Sequence, residues 1–405
     1  MATTPFKGAN TAQFYVAETT PGVTPANPVW SPLRNTGGVP AVTRDALTSN
    51  ELDGSRETTS IRTGNKQVSG EYAIELSSRS QDDFLAGAMT STWQAGVEIT
   101  GAEITVAPAG KTFTRAAGSF ITDGVEVGDL IAFTGLTGDN AKPFIVTAVS
   151  ALVVTGAGIQ HTLTAETVTT DAKTGDKLET GNACKTFSIL TWFKGQCGNP
   201  DAYMLTKGVE ISGFTVEQAV NAMVTGSFPF IGLSQEILTT PPVGSDFSQV
   251  TFTDEPFSSV DVSVFDGSTP LRCDTLTITN DNGASAQFEL GNSSVAFVER
   301  GRAANTFSIS GKLYDMAMIQ KFINEQRVEI NSILAGVNGA MSFSLKRAEL
   351  TAVTPEIGGP ESITQSIEGQ ATGNQYQSSI VIQRITYASP THKTKAPKGA
   401  FFLQT

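Results

Sequence analysis

Two stretches of this 405-residue chain spell an alternating strand followed at once by a short helix, and this recurrence constrains the fold most strongly. In VSGEYAIEL, which begins at Val68, apolar residues and glycine alternate with polar ones, which predicts a half-buried strand. The following SQDDFLAGAM predicts a helix with Ser80 as its N-cap and with Asp82 and Asp83 in its first turn. A shorter version, RGRAANTFSISGKL and then YDMAMIQKFIN, begins at Arg300.

Four short patches recur in the same order and indicate an internal duplication. They match DALT at Asp45 with DTLT at Asp274, VSGEY at Val68 with ISGKL at Ile309, FSIL at Phe187 with FSLK at Phe343, and VTGSF at Val224 with IEGQA at Ile367. The offset is 241 (311 − 70) at the glycines of the second pair and 156 (343 − 187) at the phenylalanines of the third. An additional module at residues 101–182 accounts for this drop. The alternative is two unrelated β segments of similar composition.

The composition favours β structure, because only 16% of the residues are charged, compared with about 25% in soluble domains, and Thr, Ser, Gly and Val are abundant. Residues 101–182 read as short strands broken by Gly and Asn, which predicts a small barrel or sandwich. We therefore expect a mainly β protein: a duplicated β-sandwich or barrel, each half with a short flanking α-helix, and an inserted small β-barrel-like module. The predicted domains are 1–100 with 183–240, then 101–182, then 241–385, and a C-terminal arm at 386–405.

The charge of −12 argues against a protein that grips DNA, because phosphate contacts need clustered Lys and Arg. No catalytic constellation surrounds either histidine, His161 or His392, and no metal-ligand spacing occurs. We expect no enzymatic activity, no cofactor and no metal. The alternative of a glycosidase-like site would use Asp82 and Asp83, although acids at a helix start explain them better.

The cysteines are three in number, Cys184, Cys197 and Cys273, without a CxxC motif, which predicts a reducing compartment. The first 22 residues have no apolar core of the signal-peptide type, and no run reaches the roughly 20 apolar residues of a membrane span. We therefore expect folding in the cytosol and no insertion into a membrane.

The run TRDALTSNELDGSRETTSIRTGNKQVSGEYAIELSSRSQDDFLAGAMTSTW resembles the N-terminal signature of tail tube proteins from long, non-contractile-tailed bacteriophages. The matching features are a polar hairpin, Arg62, the Val68-Ser69-Gly70 start of a strand and a helix that ends near Trp93. GSFITDGVEVGDLIAFTG and NAKPFIVTAVS are similar to the small barrel inserted in this group. The resemblance covers most of residues 30–235 and, more faintly, the second half.

This resemblance implies a structural protein of the virion tail, assembled in the host cytoplasm, that stacks in rings around a channel for double-stranded DNA. A duplicated chain implies three subunits in a pseudo-hexameric ring; the alternative is a hexameric ring. The implied partners are the chain itself, the tape measure protein, and the tail terminator and distal tail proteins. DNA would pass without sequence-specific binding. A different hypothesis is a monomeric carbohydrate-binding or adhesin module of a virion.

Two sets of residues are candidates for contacts in such a tube. The hairpin at 44–66 is expected to make the axial contact between rings, through Arg44, Arg56, Glu57 and Arg62. The polar face of the first strand is expected to line the channel, through Glu71 and Glu75, with Lys312 on the matching face of the second half.

Overall fold

Short alternating segments dominate the chain, and they form strands that pair antiparallel throughout. The computed structural model describes residues 4–52, 54, 56–157, 162–249 and 254–387. It is 51% strand and 8% helix, so the predicted mainly β class is confirmed. The predicted arm at 386–405 lies outside the described residues beyond Tyr387, as do both histidines.

The first half begins with four strands and a helix and resumes after an insertion. Its first elements are β1 (Thr11–Ala17), β2 (Ser31–Pro32), β3 (Ala41–Thr48), β4 (Ile61–Glu75) and α1 (Asp82–Ala88). The inserted elements are β5 (Glu98–Ala107), β6 (Thr112–Arg115), α2 (Phe120–Asp123), β7 (Leu130–Phe133), β8 (Phe144–Val149), β9 (Val153–Ala157) and β10 (Glu166–Thr174). The chain then forms β11 (Asp176–Glu179), β12 (Phe187–Phe193), β13 (Ala202–Ile211), β14 (Gly213–Ala219), β15 (Thr225–Gly232) and β16 (Ser234–Leu238).

The second half has the same kinds of element without an insertion. Its strands and helix are β17 (Val262–Asp266), β18 (Thr269–Pro270), β19 (Thr275–Asp281), β20 (Ser285–Gln287), β21 (Phe297–Glu299), β22 (Ala304–Lys312), α3 (Ala317–Ile323), β23 (Val328–Ala335), β24 (Gly339–Glu356), β25 (Thr364–Ala371) and β26 (Ile380–Thr386).

The two halves repeat one set of strand pairings, which is the structural form of the duplication. In the first half the pairings run β2–β1–β12–β13–β16 and β3–β4–β15–β14. In the second half they run β18–β17–β23–β24–β26 and β19–β22–β25–β24. The long strand β24 therefore combines the roles of β13 and β14. In both halves a helix, α1 or α3, follows the strand at the same place.

Breaks in the ladders fix the residue equivalence. The β12–β13 register shifts between Phe187 and Ile189, and the β23–β24 register shifts between Val328 and Ile330, an offset of 141 (328 − 187). Val209 lies opposite Phe187, and Ala348 lies opposite Val328, so Val209 corresponds to Ala348 at an offset of 139 (348 − 209). The same offset relates β13 and β14 to β24, and β15 to β25. The same arithmetic gives 237 from β4 to β22 and 238 from β3 to β19.

The structure corrects the residue-level matches predicted from the sequence. Gly70 corresponds to Phe307 and not to Gly311, because the β4 offset is 237 and not 241. Phe187 corresponds to Val328 on β23, whereas Phe343 lies on the neighbouring β24. The second pair misses by four residues, because an alternating pattern looks the same after any shift of two. The third pair matches β12 with the wrong strand of the second half.

The predicted N-cap of α1 is also wrong. Gln81 occupies that position and makes no capping hydrogen bond with its side chain. The Ser80 hydroxyl instead accepts from the Arg34 guanidinium at 2.9 Å and contacts the Ser77 hydroxyl at 2.8 Å. Asp82 and Asp83 do lie in the first turn, as expected. The helix buries Phe84 and the four residues after it against β13 and β14.

The insertion forms a closed six-stranded barrel in the order β10-β5-β6-β9-β8-β7, with its own core around Phe113, Phe133 and Phe144. A small inserted barrel was predicted and is confirmed, whereas the exact domain boundaries stay a prediction. The barrel interrupts the first half in sequence, yet it packs on the second half: Leu130 and Ile145 join a cluster with Ile333 and other residues of that half. The strand that leaves the barrel, β11, pairs with β26.

Candidate assembly surfaces

One continuous polar sheet face crosses both halves. The strands β4, β15, β14, β19, β22 and β25 pair in this order, and their apolar side chains alternate inward to a shared core. Opposite residues share a face. A single lateral row therefore runs across the sheet through Glu75, Thr225, Glu217, Thr277, Ser308 and Glu368. Hydroxyl and carboxylate groups dominate this face.

The charges on this polar face are nearly all negative. Glu71 and Glu75 lie on it, exposed, as the alternation predicted, and so does Lys312 in the second half. At the offset of 237, Lys312 occupies the position that Glu75 occupies in the first half. On the six strands and on residues 352–356 of β24, the charged residues of this face are Glu71, Glu75, Glu217, Asp281, Lys312, Glu356 and Glu368. Whether this face lines a channel stays a prediction.

The two halves join through a full antiparallel pairing of β14 with β19. Seven residues of each strand are opposed, from Gly213 opposite Asp281 to Ala219 opposite Thr275. At the two ends, Asn282 donates its N–H to the carbonyl of Ser212 (3.0 Å) and Val220 donates to Asp274 (3.0 Å). Because bonded pairs alternate in such a ladder, the pairs with even numbers carry the hydrogen bonds. We call this pairing the internal junction.

Each of the two outer strands of this arrangement pairs on one side only within the described residues. β3 pairs with β4, and all eight of its residues are exposed. The end of β24, from Ala352 to Glu356, pairs with β25 alone. Unpaired strand edges are templates for pairing with another chain. We call these segments the β3 edge and the β24 edge.

Two hairpins project from equivalent positions. In the first, β3 and the start of β4 pair Leu47 with Arg62; in the second, β20 and β21 pair Ser285 with Glu299 at the offsets found above. Both loops carry a Glu-Leu dipeptide at the same place, and the leucines, Leu52 and Leu290, are fully exposed (98% and 106%). The predicted contact residues Arg44, Arg56, Glu57 and Arg62 belong to the first hairpin and are exposed. Their role between rings stays a prediction.

Ion pairs tie the halves together beside the internal junction. Arg300 donates to the carboxylate of Glu210 at 2.7 Å. Burial raises the pKa of Glu210 even though Arg300 opposes that shift. The segment between the halves is held by Asp254, which binds Arg79 and the Ser78 hydroxyl. Burial alone would raise the pKa of Asp254, but these hydrogen bonds outweigh it and the pKa lies below its ordinary value.

The residues considered for catalysis have structural partners. Asp82 pairs with Arg384, whose guanidinium also lies 4.5 Å from the ring centre of Trp93. Asp83 accepts a 2.8 Å hydrogen bond from Tyr15, and burial together with this carboxylate raises the pKa of that phenol. Among the described residues, no group of three or more His, Cys, Asp or Glu side chains is arranged to hold a metal ion. In the same part of the chain, no helix is long and apolar enough to cross a membrane.

Comparison with known proteins identifies the class. The family model of the phage tail tube protein matches residues 8–371, and the chain therefore belongs to that family. Its role is that of a structural protein of the phage tail. This agrees with the resemblance found in the sequence. Among curated proteins, none matches the chain.

Two solved structures are similar to parts of the chain. One is a chain of the cryo-EM structure of the anti-feeding prophage baseplate, 6-fold symmetrised, with 8% identity and a TM-score of 0.24; the match covers 31% of this chain and 91% of that chain. The other comes from the cryo-EM structure of the anti-feeding prophage cap, the tube terminating cap, with 15% identity and a TM-score of 0.26, covering 34% of this chain and 97% of that chain.

Proposed function

We propose that three copies of this chain close into a ring of six similar halves, and that rings stack into the hollow tube of a phage tail through which double-stranded DNA is ejected. Assembly takes place in the host cytoplasm. The tape measure protein, the tail terminator and the distal tail proteins complete the tail as partners. A ring of six chains is the alternative stoichiometry.

The observation that carries this proposal is the internal junction. It joins two equivalent halves edge to edge in a single sheet, so one chain already contains one step of a ring. The opposite ends of the same sheet are the β3 edge and the β24 edge, which leaves one unpaired margin of each kind per chain. Repeating the step pairs both edges, and head-to-tail contacts of this kind form a ring when the rotation at each step closes.

The polar face supports a conduit for DNA. Its carboxylates repel phosphates, and most of its other polar groups are uncharged Thr and Ser hydroxyls. These strands therefore offer no cluster of Lys and Arg that would hold a nucleic acid. Lys312 takes the place of Glu75 in alternate halves, so the face keeps a net negative charge without being uniform. DNA can then slide because no site along the channel binds it tightly.

The hairpins support stacking between rings. Leu52 and Leu290 expose nearly their whole side chains at equivalent tips, and burying a leucine stabilises a contact by about 1.5–3 kcal/mol. Arg56 and Glu57 lie in the same loop as Leu52, and Arg44 and Arg62 lie in the paired strands that lead to it. Exposed ion pairs contribute only about 0–1 kcal/mol each, so these charges would set the register of one ring on the next.

Electron microscopy of the purified chain tests the proposal. On concentration, we expect hollow tubes whose end views show six similar lobes, with the barrel marking every second lobe. Compact monomers under all conditions of salt and concentration would refute the self-assembly.

Charge reversal tests the channel lining in assembled tubes. The variant Glu71→Lys with Glu75→Lys is expected to retain dsDNA fragments at about 50 mM salt and to release them near 200 mM. The matched control, Glu98→Lys with Glu103→Lys, changes the same charges on exposed positions of the barrel and should behave in the lumen as the wild type does. Equal DNA retention by both variants would contradict the assignment of the polar face to the channel.

A further inference from the structure

The internal junction defines a residue register that can be transferred to the contact between chains. In it, Thr215 lies opposite Thr279 and Phe214 lies opposite Asn280. The offset of 139 carries the two β14 residues to Thr354 and Val353 on β24. The offset of 238 relates the two β19 residues to Ala41 and Val42 on β3.

We propose that the β24 edge of one chain pairs antiparallel with the β3 edge of the next, with Thr354 opposite Ala41, Val353 opposite Val42 and Ala352 opposite Thr43. This inference rests on the proposed ring and assigns its closing contact. The partner is a second copy of this chain, because the surface that fits each edge is already present, in equivalent form, inside the chain.

The hydrogen-bonding pattern of the edges agrees with this register. In the internal junction the even-numbered β14 positions bond to β19, and Val353 and Pro355 are their equivalents on β24. A proline inside a ladder must turn its nitrogen away from the paired strand, and Pro355, which pairs with Gln365 on β25, therefore faces the open side. Its counterpart in the proposed register is Pro40, so this pair forms no backbone hydrogen bond and ends the ladder next to the bonded pair of Val353 and Val42. The Pro40 carbonyl already accepts from the Gln235 side chain at 3.1 Å.

The ion pair beside the internal junction is not repeated at the edges. In the internal junction Glu210 binds Arg300. The equivalent of Glu210 is Glu349 on β24, which pairs with Arg327 of its own chain at 3.0 Å, and the equivalent of Arg300 is Thr63 on β4. The proposed contact therefore depends on the strand register and the open edges, and not on an ion pair between chains.

Engineered disulfides test the register in the full-length chain, with the three native cysteines replaced by serine. Thr354→Cys with Ala41→Cys places two cysteines at a directly opposed pair, about 4.5–5.5 Å apart between Cα atoms, which a disulfide spans. Under mild oxidation we expect covalent oligomers that end at the trimer, because three links close the ring. Thr215→Cys with Thr279→Cys is the positive control and should form a bond within each chain. Ala352→Cys with Ala41→Cys is the register control, since its cysteines lie two residues out of step and about 7–8 Å apart.

A backbone variant gives an independent readout. Val42 is exposed, and its equivalent, Asn280, lies in the bonded row of the internal junction. Val42→Pro removes one N–H at the open side, so we expect a melting temperature close to that of the wild type and at least a tenfold loss of assembly. Val42→Thr keeps the N–H and serves as the matched control.

The outcomes separate the two proposals. Wild-type tubes together with no cross-link at Thr354 and Ala41, or with equal cross-linking in the register control, would overturn this register and leave the tube intact. Assembly of Val42→Pro at the wild-type level would overturn it as well. A wild-type chain that never assembles would refute the proposed function itself, and with it this contact.

Discussion

At the scale of single residues, a glycine and a phenylalanine exchange places between the two halves. Gly70 on β4 lies opposite Phe230 on β15, whereas at the equivalent positions Phe307 on β22 lies opposite Gly369 on β25. A Cβ atom on Gly70 would lie 2.7 Å from the Phe230 ring, and one on Gly369 would lie 2.5 Å from the Phe307 ring. Each ring thus needs the space above a glycine, and either strand can supply it.

This exchange predicts a compensating pair of substitutions. Gly70→Phe alone is expected to destabilise the fold by about 1–3 kcal/mol or more, since two rings would compete for one space. Adding Phe230→Gly recreates the arrangement of the second half and should restore much of that loss. Thermal unfolding of the two single variants and the double variant measures the coupling.

The control for this cycle is Gly358→Ala, because a Cβ atom there meets nothing within 4 Å. We expect no loss of stability from it beyond a few tenths of a kcal/mol. Additive losses in the Gly70 and Phe230 double variant would show that the two positions do not share one space.

The sequence predicted these residues only in part. Alternation placed Glu71 and Glu75 on one polar face and Tyr72 and Ile74 in the core, as the structure has them. It did not identify Glu217 or Glu368 as members of the same row, because that requires the registers of six neighbouring strands. Registers depend on contacts between distant residues, and an alternating strand reads alike after a shift of two.

At the scale of elements, the barrel is fastened by a buried side chain from the other half. Gln383 on β26, which is 1% exposed, accepts the N–H of Leu130 at 2.8 Å and donates to the carbonyl of Gly128 at 2.8 Å. Leu130 and Ala132 pack beside it on Phe265 and Ile385. Polar and apolar contacts therefore hold β7 on β26.

Replacing this glutamine tests the attachment. Gln383→Leu keeps the volume but leaves a buried N–H and a buried carbonyl unpaired, which costs about 1–3 kcal/mol for each group. We expect faster hydrogen exchange in the segment 128–133 and a lower melting temperature. Gln326→Leu makes the same change at an exposed position and is the control. Unchanged exchange of 128–133 in Gln383→Leu would contradict this role.

The short strands and frequent glycines predicted the barrel, but the sequence did not predict the surface on which the barrel packs. The sequence places the insertion between α1 and β12, which suggests attachment to the first half. The pairing of β11 with β26 joins residues about 200 positions apart, and nothing in the local pattern of either strand specifies the other.

At the scale of the whole molecule, the equivalent hairpin tips predict how stacking fails. Leu52→Ser with Leu290→Ser removes both exposed leucines, so we expect at least a tenfold higher critical concentration for tubes while the chain keeps its fold. Leu152→Ser with Val127→Ser makes a matched change on exposed barrel positions. Light scattering during assembly measures the critical concentration of each variant. Equal critical concentrations for the two double variants would contradict a role of the hairpin tips in the stacking contact.

The small barrel is inserted into the first half and packs on the second half. Each chain therefore carries one barrel, whereas its sheet contains two equivalent halves. A tube built from such chains would have nearly sixfold symmetry at its inner surface and threefold symmetry at its outer surface. Averaged end views would then show strong sixfold rotational symmetry at small radius and threefold rotational symmetry at large radius.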